Sequence, residues 1–219
     1  MSGVVTVSRA LTPRNWTATT DPTNAWDAGD GVRVGDHWYN TTSGNVFVCT
    51  SNTVGAAVWR HIPRTLGQSG AAVALTGTTS ITALATVAVP AGAMGVNGTL
   101  FVTTTWTCTN NANSKTARFN FGTAGSGTGG TQYLSSNLAS TTGARDVRSV
   151  TNRNSASSQF GMPAGTPVGG FGTTAGALCT TAIDTTAAAE VCICGILGVA
   201  GDTMTLESYR VELTRPDIT

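Results

Sequence analysis

An all-β fold follows from three features of this sequence. Apolar residues alternate at period two in run after run, turn residues separate those runs at near-regular spacing, and the composition suits strands. Threonine, whose branched Cβ favours extended backbone, occurs 40 times in 219 residues. Only Asp184–Glu190 offers the spacing of a helical turn. The expected architecture is a small antiparallel β-meander module followed by a jelly-roll-like β-sandwich.

In chain order, residues 1–14 read as an N-terminal arm, with a short apolar patch from Val4 to Val7 that suits an edge strand or a tail ordered by a partner. Residues 15–63 form the small module, which holds four of the five tryptophans. Its centre runs from Gly35 to Trp59, with Trp38, Val46 and Val48 expected on one face and Phe47 and Cys49 on the other. The turn Thr41–Asn45 lies between, Gly44 and Asn45 accepting positive φ at little cost. Residues 64–70 break every pattern and are expected to be a linker. Residues 71–219 then supply the sandwich strands. Ile81–Val89 is one, closed by Pro90-Ala91-Gly92. After the turn dipeptide Asn97-Gly98, Thr99–Thr109 alternates, with Leu100, Val102, Thr104, Trp106 and Cys108 on one face. Thr116–Phe121 points Ala117, Phe119 and Phe121 inward, and Gly122–Gly130 is a flexible loop. Weaker strands cover Gln132–Leu134 and Asp146–Asn152, before a Gly/Pro-rich stretch from Gly161 to Gly176. Glu190–Leu197 is apolar on both faces. In Thr203–Leu213 the apolar phase slips between Leu206 and Tyr209, which predicts a β-bulge near Glu207-Ser208.

Composition excludes several function classes. Charged residues make up 11%, against roughly 25% in an average domain. Lys115 is the sole lysine, whereas arginine, the better residue for interface ion pairs, is common. That bias suits an assembled protein. A net charge of +1 without a basic run argues against a nucleic-acid partner. No apolar stretch long enough to span a bilayer occurs, and neither membrane insertion nor a signal peptide is expected. The five cysteines, Cys49, Cys108, Cys179, Cys192 and Cys194, lack metal spacing and read as buried free thiols. Cys192 and Cys194 share one strand face, where a disulfide between them is geometrically poor. Synthesis in a reducing cytoplasm fits.

Little in the sequence points to bond-making chemistry. Gly125–Gly130 matches G-x-G-x-x-G, yet the segment after it is a poor helix, and a phosphate cradle needs a helix N-terminus there. His37 and His61 sit beside tryptophans at strand ends, and a hydrolase would need one of them close to Asp30 or Asp36 and a serine. Asp184, Glu190, Asp202, Glu207 and Glu212 read as solvated turn and strand residues rather than a facing glycosidase pair. No catalytic residue, metal ligand or cofactor is expected. The candidate glycan or docking contacts are Trp16, Trp26, Trp38, Tyr39 and Trp59, since flat aromatic faces stack on sugar C–H surfaces without charge. For Trp38 and Trp59 the favoured role is the core of a module with little else to bury, whereas Trp16 and Trp26, in a loop rich in Asp, Pro and Thr, are expected at a surface or an interface.

Thr12–Ile62 resembles a module found near the N-termini of tailed-bacteriophage virion proteins, mostly fibres and related appendages. The residues that carry it are Pro13-Arg14-Asn15, Ala18-Thr19-Thr20-Asp21-Pro22, Val34-Gly35-Asp36-His37-Trp38, Asn40-Thr41-Thr42, Cys49 and Gly55-Ala56-Ala57-Val58-Trp59. The same segment is similar to small chitinase-type carbohydrate-binding modules. The second part resembles the β-sandwich of the same phage proteins through Pro90–Trp106 with Asn110-Asn111-Ala112-Asn113, Asn152-Arg153-Asn154-Ser155, Ala182–Thr186 and Leu206–Leu213. The resemblance implies a non-enzymatic virion protein, a homotrimeric surface appendage of tail-fibre type. It would contact itself, other virion proteins and a host-surface glycan. A length of 219 residues is short for a fibre with a shaft. A capsid decoration or head-fibre protein and a free carbohydrate-binding module are the rival expectations.

Overall fold

The computed structural model describes residues 12–162 and 178–219, and they form an all-β protein. The expected strand around Val4–Val7 and most of the Gly/Pro-rich stretch after Gly161 lie outside the described residues. Two units partition the chain: one runs to Ile62 and includes Asp217–Thr219, the other is Pro63–Pro216.

The small unit is a four-stranded sheet, β1 (Asn15–Ala18), β2 (His37–Asn40), β3 (Val46–Ser51) and β4 (Val58–His61), in that order. Strands β2, β3 and β4 form the antiparallel meander the sequence predicts. Strand β1 corrects the expectation: it pairs with β2 in parallel, Trp16 opposite Trp38. A parallel return needs a long crossover, and residues 19–36 supply it. A 3₁₀ turn at Ala28–Asp30 tightens that crossover, with Asp27 accepting the Gly29 N–H at 2.6 Å and the Gly55 N–H at 2.7 Å. The faces also differ from the sequence reading. Trp38 pairs with Phe47 and joins Cys49 and Trp59 in the core, while Val46 and Val48 share the opposite face with Tyr39 and His37. Both phases of β3 are apolar, so periodicity alone could not choose between them. The last residues complete this unit. Trp59 and Ile218 exchange two backbone hydrogen bonds, 2.9 and 2.8 Å, and Arg60 Nε pairs with Asp217 at 3.2 Å.

The larger unit is a sandwich of two antiparallel sheets. Its strands are β5 (Arg64–Ser69), β6 (Val73–Thr76), β7 (Thr82–Val89), β8 (Thr99–Cys108), β9 (Lys115–Thr123), β10 (Thr131–Asn137), β11 (Gly143–Asn152), β12 (Gln159–Gly161), β13 (Cys179–Thr181), β14 (Ala189–Leu197) and β15 (Thr203–Thr214). One sheet has the order β13-β12-β11-β8-β15-β5, with β6 also on β15; the other has β10-β9-β14-β7. If β5 and β6 count as one interrupted strand, the winding of the chain between the two sheets is that of a jelly roll.

Residues 64–70, expected to be a linker, are therefore mostly strand, with Arg64 paired to Leu213 and Ser69 to Tyr209. The pattern-breaking Gly67 has a packing cause: a Cβ there would lie 2.9 Å from both γ-methyls of Val87 on the opposing sheet. The boundary at the other end also moves, because Asp217–Thr219 belong to the small unit.

The core lies between the sheets and is built from inward residues such as Leu100, Val102, Trp106, Phe119, Phe121, Val191, Ile193 and Leu213. Strand β8 buries the face its alternation predicts, as does β9. The expected bulge in β15 is present, with a register shift between Leu206 and Ser208. Asp184–Glu190 makes no helix: Asp184 accepts the Thr186 N–H at 2.9 Å in a turn, and β14 starts at Ala189.

Candidate functional site

Four indoles form a ladder in the small unit, with ring centroids 6.1 Å apart from Trp16 to Trp26, 5.0 Å from Trp26 to Trp38 and 5.8 Å from Trp38 to Trp59. Trp59 is fully buried and Trp38 nearly so, so neither presents a ring face to a ligand. Their indole N–H groups donate to main-chain carbonyls, Trp38 to Thr20 at 2.9 Å and Trp59 to Trp26 at 3.1 Å. These two tryptophans hold the crossover onto the sheet, the core role weighed above. Trp16 is partly buried, and its indole donates to Asp36 at 3.1 Å. Of the five candidate contacts only Trp26, 38% exposed, and Tyr39, 37% exposed, offer open aromatic surface.

The segments that carry the phage resemblance, far apart in sequence, meet in three polar hubs. In the first, the Asp36 carboxylate accepts the Arg14 N–H at 2.8 Å, the Trp16 indole and the Arg33 N–H at 3.0 Å, and pairs with the Arg14 guanidinium at 3.3 Å. Burial works to raise its pKa. The Arg14 N–H, the indole, the Arg33 N–H and the Arg14 charge outweigh that and hold the carboxyl below its usual range. In the second hub the Asn40 side chain accepts the N–H groups of Thr42 and Ser43, at 2.9 and 3.0 Å, and donates to Asp21 at 2.7 Å. In the sandwich, Asn152 donates to Gly95 O and, at 2.8 Å, to Thr185, while accepting from Gln159 at 2.9 Å. The Thr185 carbonyl in turn accepts the Gly92 N–H at 2.9 Å. A further hub joins only one of those segments, Asn110–Asn113, to other residues: the fully buried Lys115 ammonium donates to Asn111 Oδ1 at 2.8 Å and Asn113 O at 2.7 Å. Asn111 also donates to Asp202 at 2.7 Å.

Other candidate groups are engaged in structure as well. The loop Gly122–Gly130 is not the flexible segment the sequence suggests. It folds into a 3₁₀ turn at Gly127–Gly129, and Glu190 from β14 accepts the Gly125 N–H at 2.9 Å, the Gly127 N–H and the Ser126 hydroxyl. The G-x-G-x-x-G run thus directs its amides at the chain's own carboxylate, the kind of anion such amides attract. Glu190 and Asp202 also correct the expectation of solvated carboxylates, because both are buried. Glu212 pairs with Arg210 at 2.6 Å, and Glu207 accepts the Thr107 hydroxyl. Between the sheets, Asp146 pairs with Arg148 at 3.1 Å, and burial raises the Asp146 pKa against the opposing pull of that arginine. His61 is buried edge-on to Phe47 with centroids 5.4 Å apart, and His37 lies beside Tyr39. The cysteines are free thiols. The Cys192 hydrogen bond and burial push the Cys194 thiol up, while the bond from Cys194 draws Cys192 down. Among the described residues no group of three or more His, Cys, Asp or Glu side chains could hold a metal, and no helix is long and apolar enough to cross a membrane.

Sequence reasoning missed Glu190 as the anchor of the glycine loop and Asp36 as a hub. Each joins residues distant in the chain, a relation that leaves no periodic signal.

No family model matches the sequence, and no curated protein matches it. Among solved structures, that of infectious bursal disease virus, Gx strain, aligns over 72% of this chain with 9% identity and a TM-score of 0.24. This chain spans 42% of that one. A likeness at that level carries no argument about function.

Proposed function

We propose that this chain is a non-enzymatic structural protein of a tailed-phage virion, a homotrimeric surface appendage of tail-fibre type that contributes to host attachment. One observation carries the reading. The short runs that carry the resemblance to phage virion proteins meet one another in three hubs: Arg14 with Asp36, Asp21 with Asn40, and Gly92 and Thr185 with Asn152. Residues that fix a fold together are poor candidates for chance similarity in a Thr-rich chain, which supports treating both parts as the phage modules they resemble. The small unit docks to other virion proteins and the sandwich carries the contact with the host. Trp26 and Tyr39 are the aromatic surfaces available to a partner or glycan.

The test is to purify particles of a phage that encodes the chain, identify their proteins by mass spectrometry, and place the chain in a cryo-EM map. Density at the tail is the expected result. Density on the capsid surface would instead select the decoration or head-fibre reading, and absence from the particle would remove both.

A further inference from the structure

The two outer faces of the sandwich differ. That of the β10-β9-β14-β7 sheet is covered by the chain itself: Glu190 pins the glycine loop over it, Asn120 donates to Thr128 O at 2.7 Å, and Cys192 and Cys194 are fully buried on that side. That of the β8, β11 and β15 sheet is open, with Phe101 39% and Val147 42% exposed as diagonal neighbours.

We infer that copies of this chain assemble through this open face, an inference that rests on the oligomeric reading above and assigns its contact surface. The face is flat and largely threonine and serine. Thr99 and Thr151 bond to each other at 3.0 Å, and Thr107 bonds to Glu207. Stiff, β-branched and already bonded side chains lose little freedom when covered. Its charges are of both signs, Arg145 and Arg210 against Glu207 and Glu212. With two of each sign and Arg210 already paired to Glu212, the face carries no net charge to hold a polyanion or an anionic bilayer, whereas a second copy brings an Arg145 and a Glu207 to match its own. A depression of about 430 Å³, lined by Gln68, Gly70, Thr103, Ser208 and Arg210 among others, lies over β5, β8 and β15, beside the Phe101–Val147 knob, since Thr103 pairs with Val147. A knob beside a depression lets the Phe101–Val147 pair of one copy enter the depression of the next, a contact that a three-fold rotation closes into a ring.

Light scattering at micromolar concentration should give the wild-type chain about three times its monomer mass, and Val147→Arg should reduce this to about one third with unchanged circular dichroism. Val54→Arg, at an exposed position of the small unit, should leave assembly intact. Hydroxyl-radical footprinting of the unsubstituted protein gives a second reading: Phe101 should be protected at high concentration and not on dilution. A folded Val147→Arg protein of wild-type mass, or a Phe101 equally labelled in the assembly, overturns the assigned face while leaving the oligomer standing. A wild-type monomer overturns the oligomeric reading itself.

Discussion

Replacing Glu190 by alanine should release the glycine loop while leaving the sandwich folded. The carboxylate holds two backbone N–H groups of that loop, Gly125 at 2.9 Å and Gly127, and the Ser126 hydroxyl at 3.3 Å. Hydrogen bonds to a charged group contribute about 1.5–3 kcal/mol each. Taken at the low end for two backbone bonds whose donors reach water once the loop lifts, the loss is about 2–3 kcal/mol. At about 1.4 kcal/mol per factor of ten, loop opening becomes about 30- to 150-fold more frequent. The assay uses Cys192, which is fully buried and faces Asn120 across β9 and β14, where the loop residue Thr128 is bound. Native-state alkylation followed by peptide mass spectrometry should show Cys192 labelled faster by that factor, with Cys108 on the other sheet unaffected. Equal Cys192 rates in the two folded proteins would refute the idea that this carboxylate holds the loop down.

Two further outcomes follow from the small unit. Asp36 has a lowered pKa in the folded state, so its stabilisation is complete above the ordinary carboxylate value near 4 and is lost as pH falls through the lower folded value. Tryptophan fluorescence should report that acid transition, and Asp36→Asn should flatten it while lowering stability at neutral pH; an unchanged acid profile in the variant would remove Asp36 as the cause. Trp59→Ala removes a fully buried indole at a cost of about 3–5 kcal/mol, enough to unfold a unit of this size, whereas Trp26→Ala should leave it folded. Should Trp59→Ala keep native fluorescence and a wild-type melting profile, the indole ladder would not be the module's core.

Some of this molecule was legible in its sequence, for physical reasons. Strand β8 alternates an apolar inner phase with threonine, so periodicity places Leu100, Val102 and Trp106 inside without ambiguity. The β15 bulge was readable because a one-residue slip changes which phase is apolar. Strand β5 was hidden because Gly67 and Gly70 read as breakers, although Gly67 is small to admit Val87. The parallel pairing of β1 depends on a crossover whose path is set by Asp27 and Asp36, and single-strand patterns carry no such information. For the candidate contacts, the small size of the module places Trp38 and Trp59 in its core and its polar loop places Trp26 at the surface, as the structure has them. Trp16, expected at a surface, is instead half-buried with its indole on Asp36, a partner twenty residues away that no local pattern marks.

The small unit takes its final strand partner from Asp217–Thr219, after the whole sandwich has been made. During synthesis a segment that emerges before the sandwich is thus finished only after it, and Trp59 must wait for Ile218. Pairing of Arg64 with Leu213 draws the two ends of the sandwich together. A nascent chain stalled before Asp217 would carry an indole cluster lacking that seal.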